Sequence, residues 1–379
     1  MSSRSSTSGI PIRGDAIPVR AYSPRHPLRS WLPALLCLTL LPLLLAACDT
    51  GLSTDTGGSG GGSGTTVTPC AGSDCTPGSG AHGGVQVFVE PSAKATPVTQ
   101  AIAAATKSVW VEVYLLSDRV VIDALENAAN RGVDVRVLLE THPYGGGSVS
   151  PQEVMQELQA AGVKAEGADP TFHYTHEKAM IVDSATVFIM SCNLTYSGLG
   201  GSSSSDRDYG VIDTNAPDVQ EASAIFQADW QRQTPTLADP NLVVSPVNAR
   251  AKLAALIASA HHTLYVEDEE MYDTQSENDL IAAAQHGVNV ELILPTSAAS
   301  SSASDVARLT QGGVRVRYIS SPYMHAKLIV ADSAEAFVGS ENFSSTSLDE
   351  NRELGILLAD TTALSTLDQT FSGDWAKAA

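Results

Sequence analysis

The strongest constraint on the fold is a duplication: after residue 84, this 379-residue chain contains one unit twice. Each copy has an alanine-rich helical segment, an alternating strand, a second helical segment that ends in glycine, and another strand. Each copy also closes on Phe-x-x-Asp-Trp, at Phe226–Trp230 and Phe371–Trp375, and we expect these recurring tryptophans in the core. Strands that alternate with helical segments indicate layered α/β units with a largely parallel sheet. We therefore predict two similar α/β units, a first repeat at 85–235 and a second repeat at 236–379.

The segment before the repeats has the pattern of an export signal. Five arginines precede an apolar run that ends Leu45-Ala46-Ala47-Cys48, and this order of basic, apolar and small residues is typical of a signal peptide. The ending resembles the bacterial lipobox, in which the cysteine is lipidated and becomes the mature N-terminus. We expect 1–47 to be a lipoprotein signal peptide and Cys48 to anchor the protein on the extracytoplasmic side of the bacterial cell envelope. A plain membrane anchor and an unlipidated secretion signal are the alternatives.

Residues 48–84 are rich in glycine, serine and threonine. Such a composition cannot bury apolar area, so this segment is expected to be a flexible linker. In an exported protein, Cys70 and Cys75 are candidates for a local disulfide, and their spacing is poor for zinc. Cys192 stands alone within the repeats and is expected to be a small buried side chain.

Both repeats carry the same polar residues at the same spacing. The equivalent pairs are His176 and His325, Lys178 and Lys327, Asp183 and Asp332, Ser191 and Ser340, and Asn193 and Asn342. Residues two apart in a strand point to the same face, so each histidine and its lysine project together. Lysine suits phosphate oxygens, and histidine can attack phosphorus or donate a proton near neutral pH. Two such sets, brought together across the duplication axis, would place two histidines on opposite sides of one phosphorus.

This pattern resembles the signature of the phospholipase D superfamily, His-x-Lys-x4-Asp-x6-Gly-Ser-x-Asn. The second repeat matches every defined position, and the first has Met190 where the family has glycine. We expect that departure to narrow or reshape the rim of the phosphate pocket. The family also carries a downstream acid that orients a catalytic histidine, and Glu353 and Asp208 stand at that position in the second and first repeats.

The resemblance implies an internally duplicated phospholipase D-like α/β fold, with two mixed β-sheets flanked by helices and one active site at the pseudo-two-fold interface. It also implies phosphodiester transfer without a metal or other cofactor. His176 would form a phosphohistidine, and His325 would act as acid and then base. The paired lysines and asparagines would stabilise the charge on the phosphoryl oxygens, and the paired aspartates and serines would be structural supports. Since one chain holds both sets, a monomer would suffice.

Two enzymatic functions and one binding function fit these residues. The first is hydrolysis, or transphosphatidylation, of phospholipid head groups by a membrane-anchored phospholipase D-type enzyme. The alternative is a metal-independent endonuclease of the same superfamily, which the net charge of −20 disfavours because it repels nucleic acid. A catalytically inactive binding module would rest on Met190 alone. The acidic run 267–270 has two interpretations, a subsite for a cationic head group or a solvated face, and we favour the solvated face. His173 could line the pocket or lie at the surface on a strand edge, and we favour the surface.

Overall fold

The computed structural model describes residues 84–147, 149–203 and 205–379. The expected signal peptide, Cys48, Cys70, Cys75 and the linker up to residue 83 lie outside the described residues. Within the described ranges, no helix combines the length and apolar character needed to cross a membrane.

The elements follow the chain in two similar series. The strands of the first repeat are β1 (Val85–Glu90), β2 (Ser108–Val113), β3 (Asp134–Leu139), β4 (Lys164–Gly167), β5 (Lys178–Val182), β6 (Thr186–Met190) and β7 (Asp206–Asp213). Its helices are α1 (Thr96–Ala104), α2 (Arg119–Asn130), α3 (Pro151–Ala160) and α4 (Ala216–Trp230), with a short 3₁₀ turn at Tyr144–Gly146.

The second repeat reproduces this series with short additions. Its strands are β8 (Leu242–Ser245), β9 (Thr263–Asp268), β10 (Asn289–Pro295), β11 (Arg315–Ile319), β12 (Tyr323–Met324), β13 (Lys327–Ala331), β14 (Glu335–Gly339) and β15 (Glu353–Leu358). Its helices are α5 (Ala249–Ser259), α6 (Thr274–Gln285), α7 (Ala298–Ser301), α8 (Ala303–Gln311), α9 (Ser345–Asp349) and α10 (Thr361–Lys377).

The two sheets have the same strand order. The first runs β1-β7-β6-β5-β2-β3-β4, and the second runs β8-β15-β14-β13-β9-β10-β11. Within both orders the helix-connected strands, β2 to β4 and β9 to β11, are parallel, and the other neighbouring strands are antiparallel. Outside these orders, β12 pairs in parallel with β7. The duplicated fold with two mixed sheets is therefore confirmed. The expectation of largely parallel sheets was wrong, because three-residue turns such as 183–185 join antiparallel strands.

Local sequence signals explain the ends of the equivalent helices α2 and α6. The side chain of Asp118 accepts hydrogen bonds from the backbone N–H groups of residues 120 and 121, and Asp273 accepts one from Ser276. Both are N-caps that satisfy otherwise unpaired donors. The glycines that follow these helices, Gly132 and Gly287, have φ angles of 87° and 93°, the left-handed conformation expected of a C-cap.

The two sheets pack against each other through one shared hydrophobic core. This core contains the apolar faces of β5, β6 and β7 and those of β13, β14 and β15, together with α4 and α10. Trp230 and Trp375 pack against it, as expected. Two further cores lie on the outer faces, one under α1, α2 and α3 and one under α5, α6 and α8. Because apolar side chains of both repeats are buried in one core, the repeats form one packed body.

A short segment before each motif histidine crosses to the other repeat. The strand β12 pairs in parallel with β7 of the first sheet, and Thr175 forms an equivalent parallel bridge with Arg352. The backbone N–H of His176 donates to the carbonyl of Arg352 at 2.9 Å, and that of His325 donates to the carbonyl of Arg207 at 3.3 Å. Each motif histidine therefore lies beside the start of the other repeat's last strand.

Candidate active site

The backbone crossing brings each histidine to an acid of the other repeat. Nδ1 of His176 lies 2.8 Å from Oε2 of Glu353, and Nδ1 of His325 lies 2.9 Å from Oδ1 of Asp208. A carboxylate at Nδ1 fixes the ring orientation and leaves Nε2 as the nitrogen that can react with a ligand. Both acids predicted from the sequence therefore contact a histidine, and each contact joins the two repeats.

Both histidines open onto one cavity. This cavity has a volume of about 660 Å³, and its lining includes His176, His325, Asn193 and Asn342. The carboxamide oxygens of the two asparagines are buried and have no hydrogen-bond partner among the described residues. These carboxamides are therefore available to a ligand between the histidines. His173 is exposed, as expected, and also lines this cavity.

The two motif lysines are buried beneath the histidines. Lys178 and Lys327 are 1% and 0% exposed, and each Nζ donates to the carbonyl of its own motif histidine. A buried ammonium group needs strong acceptors, and an anionic ligand in the cavity would supply them. This arrangement suits a phosphate group.

The predicted supporting serines lie behind the site. Ser191 Oγ donates to Oδ1 of Asp208 at 2.5 Å and accepts a bond from the backbone of Tyr209. Ser340 Oγ contacts the backbone of Leu354, the residue after Glu353. Both serines thus tie the motif to the strand that carries an orienting acid.

Two supports of Glu353 were missed by sequence reasoning. Ser347 Oγ and Asn351 Nδ2 both donate to Oε1 of Glu353, at 2.6 and 2.9 Å. Asn351 lies two residues before Glu353, and a search for polar neighbours of the acid would have found it. Ser347 lies on α9, and its sequence context gave no signal.

The motif aspartates lie in the turns that follow β5 and β13. Asp183 accepts bonds from the backbone N–H groups of residues 106, 107 and 108, and Asp332 accepts from residues 261, 262 and 263. Both have positive φ angles, 54° and 52°. Backbone donors lower the pKa of Asp183 to about 2, although its partial burial acts in the opposite direction. These contacts brace the turn.

Two buried ion pairs also join the repeats, and sequence reasoning missed them. Arg352 pairs with Asp229 at 2.9 Å, and Arg207 pairs with Asp374. The aspartates are those of the repeated Phe-x-x-Asp-Trp segments, and each arginine directly precedes an orienting acid. The recurrence of these aspartates at equivalent positions of the two repeats was the sequence signal that could have indicated the ion pairs. The pairs hold the strands that carry Asp208 and Glu353.

The repeats differ at one position beside the lysines. Tyr114 in the first repeat packs edge-on against His176 with ring centroids 4.7 Å apart, and Lys178 Nζ lies 5.3 Å from the centre of its ring. In the second repeat, Oε2 of Glu269 lies 3.1 Å from Nζ of Lys327 and 3.4 Å from Nε2 of His325. One motif lysine therefore lies beside an aromatic ring, and the equivalent lysine lies beside a carboxylate.

The acidic run 267–270 is not a solvated face, and that expectation was wrong. Glu267 and Asp268 are 0% and 3% exposed, and Glu269 and Glu270 line the cavity. Glu267 accepts a hydrogen bond from Tyr209 at 2.6 Å. The run continues past the end of β9, and its last two residues, Glu269 and Glu270, face the site cavity.

The two motif histidines differ in the protonation state that their surroundings favour. Burial lowers the pKa of His176 to about 4, and the Lys178 ammonium acts in the same direction. Burial also opposes the charged form of His325, but the carboxylates of Asp208 and Glu269 outweigh it and raise its pKa. The surroundings therefore favour the neutral form of His176 and the protonated form of His325.

The pKa values of the two motif lysines are also shifted in opposite directions. Burial lowers the pKa of Lys178 to about 7, and the nearby Lys327 contributes to this shift. Burial acts in the same direction on Lys327, yet Glu269 and Asp208 outweigh it and raise its pKa. Conversely, His325 and Lys327 lower the pKa of Glu269 to about 2 against the effect of burial. The second repeat therefore carries the more strongly charged half of the site.

One group of described residues has the geometry to hold a metal ion. Ligand oxygens of Glu112, Glu177 and Asp229, all buried, lie within 4.8 Å of one another. The guanidinium of Arg352 already provides a positive charge at this group, because it pairs with Asp229. Burial raises the pKa of Glu177 to about 8 and that of Glu112 well above its usual range. Protonated carboxyl groups beside a guanidinium are a poor ligand set for a metal.

Met190 does not shape the cavity rim, and that expectation was wrong. It is fully buried in the outer core of the first repeat. In the second repeat, a Cβ on the equivalent Gly339 would lie 2.5 Å from Oε2 of Glu341. The residue equivalent to Glu341 in the first repeat is Cys192, which is buried as predicted and lies in the same core as Met190.

A duplicated α/β fold in which each half supplies a histidine and an asparagine to one cavity, with a buried lysine beneath each histidine, defines the phospholipase D class of proteins. The chain belongs to this family: the family model described as "Cardiolipin synthase, PLD-like domain" matches residues 98–230 and 253–375.

Known proteins agree with this assignment. A cardiolipin synthase from Halalkalibacterium halodurans is 24% identical over 325 residues, covering 73% of this chain and 63% of the relative. The chain thus spans less than two thirds of that relative's length. A solved phosphatidylserine synthase from Haemophilus influenzae superposes with a TM-score of 0.63 at 13% identity, covering 78% of this chain and 87% of that one. A polyphosphate kinase from Porphyromonas gingivalis superposes with a TM-score of 0.59 at 15% identity, covering 76% and 50%. These structural likenesses show a shared fold.

Proposed function

We propose that this protein is a phospholipase D-type enzyme that cleaves or exchanges phospholipid head groups through a phosphohistidine intermediate. The observation that carries the proposal is that His176 and His325 line one cavity while each is oriented by an acid of the other repeat. Two imidazoles facing one space can attack a phosphorus atom and protonate its leaving oxygen.

The charge preferences support a direction for the first step. The neutral Nε2 of His176 attacks phosphorus, and the bond from phosphorus to the head-group oxygen breaks. The electron pair stays on that oxygen, which takes the proton from Nε2 of His325. The two lysines and two asparagines stabilise the phosphoryl oxygens as negative charge develops.

The second step reverses these roles. Water or an acceptor alcohol attacks phosphorus and gives its proton to the now neutral His325, while the phosphorus–nitrogen bond breaks and its electron pair returns to His176. Water yields phosphatidic acid, whereas an alcohol yields a new phospholipid. The relative from Halalkalibacterium halodurans and the matching family model are both named for a cardiolipin synthase, which favours including transfer to an alcohol in the proposal.

Phospholipid is favoured over nucleic acid as the substrate. A net charge of −20 opposes the broad phosphate contacts on which nucleic-acid binding depends. The relative and the family model are both named for a phospholipid synthase. A single phosphodiester held between two buried lysines requires no such extended basic surface.

The test uses the full chain with EDTA present. It is incubated with phosphatidylcholine vesicles, with phosphatidylglycerol vesicles and with single-stranded DNA. We expect head-group release, or cardiolipin from phosphatidylglycerol, and losses of about 100-fold to 10,000-fold in His176→Asn and His325→Asn. His286→Asn is the matched control, because His286 is an exposed residue after α6. Cleavage of DNA without lipid turnover would contradict the proposal.

Membrane anchoring through a lipid on Cys48 is part of the same proposal. It rests on the sequence Leu45–Cys48 and would keep the enzyme at its substrate surface. Cells that express wild type and Cys48→Ser are fed a radiolabelled fatty acid and fractionated. We expect label and membrane association in the wild type alone, and equal labelling of both would contradict the anchor.

A further inference from the structure

The pseudo-symmetry of the site is broken at one pair of equivalent positions. Tyr114 and Glu269 each directly follow the strand residue that pairs with a motif lysine, Lys178 in one repeat and Lys327 in the other. An ideal duplication would place the same side chain at both positions. Here one lysine faces a neutral ring and the other a carboxylate.

The orienting acids do not explain the difference between the histidines. His176 and His325 each have one such acid at Nδ1, at 2.8 and 2.9 Å. What differs is the second contact: Tyr114 packs against the ring of His176, whereas Glu269 lies 3.4 Å from Nε2 of His325. Glu269 therefore acts on the nitrogen that would exchange a proton with the substrate.

We propose that Glu269 is the positioning residue that makes His325 the proton donor and leaves His176 as the nucleophile. The inference rests on the proposed function and refines it, since two nearly equivalent histidines could otherwise exchange roles. In the step concerned, the proton on Nε2 of His325 passes to the leaving oxygen as phosphorus bonds to Nε2 of His176.

The charges around the two rings support this division. His325 faces Asp208 and Asp206 from β7, Glu269 from the end of β9 and Lys327 from β13. Carboxylates therefore outnumber ammonium groups around this ring, and they stabilise the imidazolium.

The surroundings of His176 have the opposite balance. The charged form of this ring is disfavoured first by burial and then by the ammonium groups of Lys178 and Lys327. Glu353 from β15 acts in the opposite direction, and Glu269 interacts with this ring more weakly than with His325. Tyr114, which packs against the ring of His176, carries no charge. The neutral imidazole is therefore favoured, and a neutral imidazole is the form that can attack phosphorus.

The side chain of Glu269 can move aside when substrate binds. A phosphoryl oxygen needs the same position beside Lys327 that Oε2 of Glu269 occupies. The hydroxyl of Tyr323 already donates to Oε1 of Glu269 at 3.3 Å. Rotation of the carboxylate toward Tyr323 would free Lys327 and keep the negative charge within the same cavity as His325.

The first experiment needs no substrate. Histidine-labelled full-length wild type, Glu269→Gln and Glu269→Tyr are titrated by NMR, with the signal of His325 assigned from its loss in His325→Asn. We expect both substitutions to lower the midpoint of His325 by about one pH unit or more. Glu166→Gln, at an exposed position on β4, is the charge-matched control and should leave it unchanged. A midpoint that is the same in all four proteins would overturn the role of Glu269.

The second experiment maps the intermediate. Each protein is quenched during turnover of phosphatidylcholine vesicles, and the histidine that carries the phosphatidyl group is located by mass spectrometry. We expect the phosphatidyl group on His176 in wild type and Glu166→Gln, and on both histidines in Glu269→Gln and Glu269→Tyr. A phosphatidyl group confined to His176 in every protein would overturn the role of Glu269 and leave the proposed function intact. Absence of any phosphohistidine in the wild type would instead overturn the proposed function, whatever the titration shows.

Discussion

Nδ1 of His325 lies 2.9 Å from Oδ1 of Asp208, a residue 117 positions earlier in the chain and in the other repeat. The symmetric contact joins His176 to Glu353 across 177 positions. Neither repeat alone therefore contains a complete histidine–acid pair. Folding of the two repeats onto each other completes both pairs at once, so we expect activity to depend on the interface between them.

Replacing the acid should impair the histidine of the opposite repeat. In Asp208→Asn, the amide cannot stabilise an imidazolium, so we expect His325 to become a poorer proton donor and kcat to fall by about 100-fold or more. The descending alkaline limb of the pH profile should also move to lower pH. Steady-state assays with a short-chain phosphatidylcholine measure both effects.

Asp123→Asn is the control, because Asp123 is an exposed residue on α2 that pairs with Arg119. It should retain wild-type kcat. A loss of activity in Asp208→Asn without any change in the pH profile would contradict the assigned partnership.

The pH dependence of kcat/KM should show a plateau. His176 must be neutral to attack, and its pKa is lowered to about 4, so activity should fall below that pH. His325 must be protonated, and its pKa is raised above the ordinary 6.5, so activity should fall as the pH rises through that higher value. Measurements from about pH 3 to about pH 9 cover both limbs. Activity that rises steadily between the two values would show that the ionisations of His176 and His325 do not control the profile.

The buried ion pairs between the repeats should be sensitive to loss of one partner. Asp374→Asn leaves the buried guanidinium of Arg207 without its counter-charge, and we expect a loss of about 3–5 kcal/mol in the free energy of unfolding. Lys377 contacts the same aspartate from an exposed position, so Lys377→Ala should cost less than about 1 kcal/mol. Urea denaturation compares the two variants. Equal losses in the free energy of unfolding would show that burial of the Arg207–Asp374 pair does not determine its contribution to stability.

Restoring the family glycine should not improve the enzyme. Met190 fills a fully buried position, so Met190→Gly leaves a cavity and should lower the free energy of unfolding by about 2–5 kcal/mol. Since Met190 packs in the core and the site lies elsewhere, kcat/KM of the folded protein should stay near wild type. Urea denaturation and lipid assays at a temperature where both proteins are folded provide the measurements. A large gain in activity would mean that methionine restricts the site after all.

Much of the fold could be predicted because its signals are local. Asp118 and Gly132 delimit α2 through backbone hydrogen bonds and a left-handed turn within a few residues. The spacing of His176 and Lys178 places them on one face of the chain for similarly local reasons. The mixed character of the sheets was less accessible to periodicity, because parallel and antiparallel strands can share the same apolar pattern.

The wrong predictions concern residues whose surroundings come from distant parts of the chain. Glu269 belongs to an acidic run that is compatible with a solvated strand end, and only the packing of β9 beside β13 turns it toward Lys327. Met190 was assigned to the pocket because the family glycine follows the motif, yet it packs in the outer core of the first repeat beside residues from other strands and helices.

By itself, the sequence determined the duplication, the two motif sets and the residue types that can hold a phosphate, because these depend on order and spacing along the chain. The tertiary structure decided which acid orients which histidine and which histidine is charged. Both motif sets are nearly identical, so pairing within a repeat or between repeats would satisfy the same spacing. Burial of one shared core fixes the pairing between repeats, and the carboxylate of Glu269 beside His325, where the first repeat has Tyr114 beside His176, then makes two similar halves chemically different.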